Sequence, residues 1–182
     1  MSKKILIALL LLALPSLLRA DSPTTWILQK STLTYHISHP LHEAAGISHA
    51  ARGKGVCQSG ECIFLIAVPV KSFASGDTNR DLHMLQTVRG GQFPMVIVRT
   101  EVPEAEIHAR HIEANLAIQF AGQTANLKNV PFQLAAHGNQ ITLTGTIPAT
   151  LTDFKIPAPE LLFVPIKNQI PVTARMTWQE QK

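Results

Sequence analysis

The chain has 182 residues, of which 46% are hydrophobic and 15% charged, and its formal net charge is +4. This length and composition suit one domain with a full apolar core. The lysines and arginines do not cluster along the chain, which excludes an extended nucleic-acid-binding surface and predicts no nucleic-acid partner.

Residues 1–20 have the pattern of a secretory signal peptide. A basic start at Lys3 and Lys4 precedes ten apolar residues, Ile5 to Leu14, and Ala20 offers a small residue for cleavage. Ten apolar residues are too few to span a bilayer, which takes about 20, and an uncleaved anchor is the alternative. The segment holds three of the 16 basic residues and no acidic ones, so 13 basic and 12 acidic side chains remain, a balance of +1. We therefore expect an exported protein, cleaved near Ala20.

Apolar and polar residues alternate with a period of two through much of the remaining chain. Leu33, Tyr35 and Ile37, for example, alternate with polar neighbours, which predicts a strand with one apolar and one wet face. Eight antiparallel strands can hide every edge by closing into a barrel that either fills with side chains or encloses one small ligand. A β-sandwich with a filled core is the alternative. The predicted strands are 32–38, 49–57, 62–70, 95–102, 111–120, 125–136, 141–147 and 172–178.

The two cysteines of the chain, Cys57 and Cys62, flank Gln-Ser-Gly-Glu. In an exported protein this pair predicts a disulfide, and the glycine-containing connection suits a β-hairpin. A redox or metal-binding pair is the less favoured alternative, because the spacing is neither Cys-x-x-Cys nor that of a haem attachment site.

One helix is predicted, over 77–89. Asp77 can cap its first turn, and Leu82, Leu85 and Val88 form an apolar stripe. A pair of glycines after the stripe suits the helix exit.

Several segments in and around this helix form a family pattern. Ser72-x-x-Ser75-Gly76 precedes the helix, Arg80-Asp81-x-His83-Met84 lies in it, and Phe93-Pro94 follows it. Farther along are Leu116-x-Ile118 and Leu151-x-Asp153-Phe154-x-Ile156. In their order and spacing these segments resemble the YceI-like family of lipocalin-like barrels.

The resemblance covers about 24–178 of a single domain, 21–182. It implies an all-β fold, an eight-stranded antiparallel lipocalin-like barrel with one short helix. It also implies a periplasmic, non-catalytic protein that holds an isoprenoid lipid, either a quinone or a polyprenyl chain, in an apolar lumen for sequestration or transport. We expect no covalent cofactor, and the predicted partners are a membrane cytochrome or another lipid acceptor, and a second copy of the chain as a homodimer. The alternatives are a redox accessory to a membrane cytochrome that uses bound quinone or haem, and a structural stress protein with a filled core.

Three departures from the family pattern lie near the expected barrel mouth and bear on the ligand more than on the fold. The Phe-Phe pair after the helix is missing. Phe120 stands where the family has the glycine of a Leu-x-Ile-x-Gly turn, and Lys155 stands where it has the glycine of Asp-Phe-Gly.

The candidate ligand-binding residues fall into two groups. Arg80, Asp81 and His83 could contact a polar head group, although the favoured interpretation of Arg80 and Asp81 is that they tie the helix to a nearby loop. The second group would face the lumen, where a lipid chain needs apolar walls, and plain core packing is the alternative for each member. The lumen candidates are Phe64, Ile66, Val68, Val70, Ile112, Leu116, Ile118, Val172, Ala174 and Met176.

The chain offers no convincing catalytic or metal-binding motif. His36, His39, His42 and His49 fall close together, but no carboxylate–histidine or cysteine–histidine signature completes a tetrahedral site. We expect solvated loop histidines and no metal. Serine, histidine and aspartate are scattered without the template of a hydrolase, so no catalytic residue is predicted.

Overall fold

The structure, a computed structural model, describes residues 22–161 and 163–181. The predicted signal peptide, 1–20, lies outside the described residues. Nowhere in these two ranges does a helix have the length and apolar character needed to cross a membrane.

Eight strands close into one antiparallel barrel. The strands of the described residues are β1 (Thr24–His39), β2 (His42–Ser48), β3 (Arg52–Gln58), β4 (Glu61–Pro69), β5 (Met95–Pro103), β6 (His111–Phe120), β7 (Gln123–His137), β8 (Gln140–Ile147), β9 (Glu160–Leu161), β10 (Val164–Pro165) and β11 (Val172–Gln181). Nine of them form one sheet in the hydrogen-bonded order β11-β8-β7-β6-β5-β4-β3-β1-β2. A further pairing of β11 with β1 closes the first eight into the barrel, and β2 is the ninth strand, paired with β1. One α-helix occurs in the described residues, α1 (Thr78–Thr87). The predicted eight-stranded barrel with one short helix is therefore confirmed, and the sandwich alternative is wrong.

The long strand β1 pairs with two different strands along one of its edges. Its first residues, from Thr24 to Ile27, pair with β3, and its last, from Leu33 to His39, pair with β2. Both β2 and β3 run antiparallel to β1 and pair with the same edge of it, so together they take the place of one interrupted strand. The opposite edge of β1 pairs with β11 as far as Tyr35. Just beyond it, the N–H of His36 donates a hydrogen bond at 3.0 Å to the carbonyl of Pro171, the residue before β11.

Strand β2 was not predicted, and the first predicted strand, 32–38, was too short. The structure starts β1 at Thr24 and turns the chain within two residues after His39, where a loop was expected. Alternation failed to indicate β2 because its central residues, Ala44, Ala45 and Gly46, are all small.

The two ends of the barrel differ. One end, which we call the helix end, carries α1, the β1–β2 hairpin and the segment 148–171. The other, the disulfide end, carries the β3–β4 turn, the β5–β6 loop (104–110) and the β7–β8 turn. The loop 104–110 is fixed there by a hydrogen bond from the N–H of Glu104 to the Gly60 carbonyl at 2.9 Å.

The helix α1 begins as predicted and packs less than predicted. The Asp77 side chain accepts hydrogen bonds from the N–H groups of Asn79 and Arg80, which confirms the N-cap. Of the predicted apolar stripe, Val88 is buried but Leu82 is 51% exposed. The stripe prediction was thus wrong at Leu82, because no residue of α1 itself is buried and only its last turn packs against the core.

Candidate functional site

The barrel encloses an apolar cavity of about 90 Å³. Its walls come from β1, β4 to β8 and β11, and Ile107 of the loop 104–110 also lines it. Thr100 is the one lining residue that is not hydrophobic, and it stands between Val98 and Val102 on the inward row of β5. No charged side chain lines the cavity, so it suits a neutral and largely apolar group.

The predicted lumen residues divide according to their position along the barrel axis. The four that do not line the cavity lie toward the helix end, where Val68, Val70 and Ile118 are buried and Val172 packs half-buried against the core. The cavity therefore extends from the middle of the lumen toward the disulfide end. Whether its walls bind a lipid stays a prediction. The six predicted residues that line it are Phe64, Ile66, Ile112, Leu116, Ala174 and Met176.

Three aromatic rings narrow the cavity, and each lies against the backbone of a glycine. Any Cβ atom on these glycines would overlap the ring, so only glycine allows the close approach. Two of the rings, Phe64 and Trp178, also meet edge to face with their centroids 5.0 Å apart. The glycine contacts thus decide how far the rings reach into the lumen. The pairs are Phe64 on Gly55, Trp178 on Gly53 and Phe132 on Gly145.

Two of the lining residues carry a buried polar atom that has no hydrogen-bond partner among the described residues, Trp26 Nε1 and Thr100 Oγ1. Trp26 is 1% exposed. Native proteins rarely leave a buried donor or hydroxyl without a partner. Sequence reasoning missed both residues, because no strand was predicted at Trp26 and a threonine in an alternating strand gives no signal of its own.

The predicted head-group residues lie at the opposite end from the cavity, and none of them lines it. Asp81 Oδ1 accepts a hydrogen bond from the Ser75 N–H at 3.0 Å, and Arg80 lies 3.8 Å from the Asp77 carboxylate. His83 is exposed. The Asp81 contact agrees with the structural interpretation, in which this side chain ties the helix to the preceding loop.

Two pKa values near α1 are shifted by their surroundings. The backbone N–H of Arg80, above all, lowers the pKa of Asp77 by bonding its carboxylate. Burial raises the pKa of Tyr35 above its ordinary value of 10.0, and the nearby Asp81 carboxylate adds to the rise. The Tyr35 hydroxyl is buried and has no partner among the described residues.

His39 is a buried strand residue, so the prediction of a solvated loop histidine was wrong for it. It is 4% exposed. Its Nδ1 accepts a hydrogen bond from the Leu41 N–H at 3.1 Å, and its Nε2 donates to the Val164 carbonyl at 3.1 Å. These two bonds tie the β1–β2 hairpin to β10.

The other three histidines of this group are exposed. His36 and His42 lie in strands, while His49 follows β2 and bonds the Ser31 carbonyl through Nδ1 at 3.0 Å. Across residues 22–161 and 163–181, no three histidine, cysteine, aspartate or glutamate side chains form a group that could hold a metal ion.

The predicted disulfide is present. Cys57 of β3 and Cys62 of β4 stand opposite each other in register and are bonded, and both are buried. The bond joins the two strands at the disulfide end.

One departure from the family pattern has a backbone consequence. Asp153 Oδ2 accepts a hydrogen bond from the Thr150 N–H at 2.9 Å and so orders the turn before the buried Phe154. The next residue, Lys155, has φ 51° and ψ 38°, in the left-handed region that favours glycine. Lys155 therefore holds a conformation that the family's glycine would adopt without strain.

Comparison with known proteins places this architecture among solved barrels. No family model matches the sequence, and no curated protein sequence matches it. A polyisoprenoid-binding domain from Saccharophagus degradans implicated in plant cell wall breakdown superposes with a TM-score of 0.71 at 12% identity, covering 86% of this chain and 98% of that domain. BcnA from Burkholderia cenocepacia gives 0.68 at 12% identity, with 81% and 95% covered. The YceI protein of Campylobacter jejuni gives 0.54 at 13% identity, with 66% and 72% covered. The chain therefore has the fold of the YceI-like barrels, as its motifs predicted.

Proposed function

We propose that this protein binds an isoprenoid lipid, a quinone or a polyprenyl chain, in its lumen and sequesters or carries it in the periplasm. The observation that carries the proposal is the closed barrel with an uncharged, apolar cavity. Two features support it further, the predicted signal peptide of residues 1–20 and the fold shared with a polyisoprenoid-binding domain. The role is binding without catalysis.

The energy of burial favours a chain of several isoprene units. Each methylene-sized group gives about 0.8 kcal/mol on leaving water, so a five-carbon unit gives about 4 kcal/mol gross. Association costs about 4–15 kcal/mol in lost freedom. Three to four buried units therefore offset that cost, and the head group needs few polar contacts.

A chain of that length requires the cavity to widen. An apolar cavity of about 150 Å³ accepts one benzene molecule, and the cavity here is about 90 Å³. Met176 can move aside, because its unbranched thioether chain adapts readily to irregular spaces. Ile107 lines the cavity from the loop 104–110 at the disulfide end, so we propose that the lipid enters there as this loop moves.

The proposal is tested on protein purified from its own membrane system. Native mass spectrometry and lipid extraction should recover an isoprenoid from the wild type. Ala174→Leu, which fills the cavity, should remain folded and lose the lipid, whereas Thr173→Leu, one residue away on the exposed face of β11, should keep it. Wild-type protein without any apolar ligand, or equal retention by both variants, contradicts the proposal.

The same preparation distinguishes the lipid carrier from the haem-dependent redox accessory. A Soret band in its absorption spectrum would favour the redox accessory with haem. A quinone in the lipid extract without a Soret band favours the carrier.

A further inference from the structure

One side of the barrel wall is apolar on its outer face. From residue 63 to its end, β4 presents only hydrophobic residues outward, and the neighbouring β5 adds two more that stand beside them in register. None of the six is buried, and Ile63 and Leu65 are 42% and 51% exposed. We call these residues the outer ridge: Ile63, Leu65, Ala67, Pro69, Met95 and Ile97.

The opposite wall has the ordinary pattern of a sheet with one face in water. There β8, four strands away from β4 in the closed order, presents Gln140, Thr142, Thr144 and Thr146 outward. A strand that is apolar on both faces is typical of a sheet covered on both sides. Among the described residues nothing covers Ile63 or Leu65, as their exposure shows. The outer ridge is therefore a contiguous apolar surface of the kind that marks an interaction site.

Basic side chains border the outer ridge on both sides. Leu65 stands between Lys54 of β3 and Arg99 of β5, and Arg52 stands opposite Ala67. All three basic side chains are exposed. The alkyl stems of such residues can lie along an apolar surface while their cationic ends reach into water. The ridge thus has the chemistry of an apolar strip between two rows of positive charge.

The carboxylates on this side of the barrel lie toward the disulfide end of the ridge. Glu101 stands opposite Ile63 and forms an ion pair with Arg99, and Glu61 is the first residue of β4. The cations beside Leu65 and Ala67 therefore form the positive part of this surface, although the whole chain without residues 1–20 has a balance of only +1.

We propose that the outer ridge docks on a bilayer surface that contains anionic phospholipids. Binding of this kind is driven by the apolar area that enters the interface and by attraction between basic side chains and lipid phosphates. A second copy of the chain is the disfavoured occupant, because a two-fold contact through the ridge would place Lys54, Arg52 and Arg99 of the two copies close together. The proposal goes beyond the proposed function and rests on it in one respect, that the carried lipid passes to or from a membrane.

Docking through the ridge also brings the proposed entrance to the membrane. The ridge begins at Ile63, just after the β3–β4 turn. Gly60 in that turn accepts the hydrogen bond at 2.9 Å from the N–H of Glu104, the first residue of the loop 104–110. A bilayer against the ridge therefore lies beside this loop, so a lipid that enters there has a short path through water.

Co-sedimentation with vesicles tests the proposal on purified protein. Loss of residues 1–20 is first verified by mass, because an uncleaved apolar segment would itself bind vesicles. Wild-type protein should bind vesicles of phosphatidylcholine mixed with phosphatidylglycerol. Leu65→Gln should weaken this binding by about 5-fold, the contribution of a half-exposed leucine. Lys54→Gln should weaken it by about 5-fold at low salt and by less at high salt, as an attraction between charges does.

Two matched variants control for effects that do not involve the ridge. Leu82 of α1 is also 51% exposed but lies at the helix end, so Leu82→Gln makes the same chemical change elsewhere. Lys128→Gln removes a charge from the outer face of β7. Neither variant should change vesicle binding. All four positions are exposed, so we expect every variant to fold, and urea denaturation verifies this.

The outcomes separate the docking surface from the proposed function. Wild-type protein that ignores the mixed vesicles, or equal losses in Leu65→Gln and Leu82→Gln, would overturn the docking surface, while isoprenoid recovered from the same preparation would leave the carrier function standing. A wild-type dimer in sedimentation equilibrium that Leu65→Gln dissociates would also overturn it, since the ridge would then join two copies. Ridge-dependent vesicle binding without isoprenoid in the extract would support the docking surface and contradict the carrier function.

Discussion

Replacing Ala174 by valine should stabilise the lipid-free barrel, because the new side chain grows into empty space. Ala174 is 2% exposed and lines the cavity, and valine adds two carbon atoms. At about 0.8 kcal/mol for each, their burial contributes about 1.6 kcal/mol. The size of the cavity limits this gain. An empty cavity of about 90 Å³ destabilises the fold by about 2 kcal/mol, at about 24 cal/mol per Å³, so filling it cannot contribute more than that. We expect the free energy of unfolding to rise by about 1.5 kcal/mol.

Urea denaturation of delipidated protein, followed by tryptophan fluorescence, measures this change. The matched control is Ala125→Val on β7, because Ala125 is also buried in a strand but does not line the cavity. Overpacking should destabilise that variant by about 1–3 kcal/mol. The two substitutions thus have opposite expected signs, and the stabilised variant should bind lipid more weakly. Equal destabilisation by both would refute the reasoning, since it would show that Ala174 already faces a filled interior.

Three further predictions concern residues away from the cavity. Because the pKa of Tyr35 is raised, the folded protein keeps the Tyr35 proton at a pH where the unfolded chain has lost it. The free energy of unfolding should therefore fall as the pH rises above 10.0. Tyr35 is the one tyrosine of the chain, so phenolate absorbance reports its titration. Lys155→Gly should raise the free energy of unfolding by about 0.5–1 kcal/mol, the left-handed strain minus the entropy cost of glycine, measured by urea denaturation. Reducing the Cys57–Cys62 bond, which closes a short loop, should lower the free energy of unfolding by about 2 kcal/mol, measured with and without reductant.

Each of these three has a control and a contrary result. Tyr35→Phe should remove the excess loss of stability at high pH, and a phenolate that titrates at its ordinary pKa would contradict the first prediction. Lys155→Ala keeps the Cβ atom and should bring no gain, so an equal gain in both variants would assign the effect to the lysine side chain. An unchanged urea midpoint after reduction, with the two thiols verified by mass, would show that the hairpin needs no covalent link.

The alternation of residues gave the inward face correctly in the strands where it was assigned, such as 172–178, but it did not give the position along the barrel axis. Val68 and Ala174 look equivalent in the sequence, and both are buried. Only Ala174 lines the cavity, because Val68 lies farther toward the helix end, in the last residues of β4. The predicted head-group residues Arg80, Asp81 and His83 do not line the cavity for the same reason. A sequence motif on α1 does not reveal which half of the lumen is open.

The sequence by itself determined the local features: most of the barrel strands by their alternating or extended pattern, the helix by its Asp77 cap, the Cys57–Cys62 hairpin by its spacing, and the resemblance to the YceI-like barrels by its motifs. These depend on contacts between neighbours in the chain, which a linear pattern records. The tertiary structure alone decided where the cavity lies and which residues line it. Trp26 and Thr100 are far apart in the sequence and become two walls of one cavity only when β11 meets β1 and the sheet closes on itself.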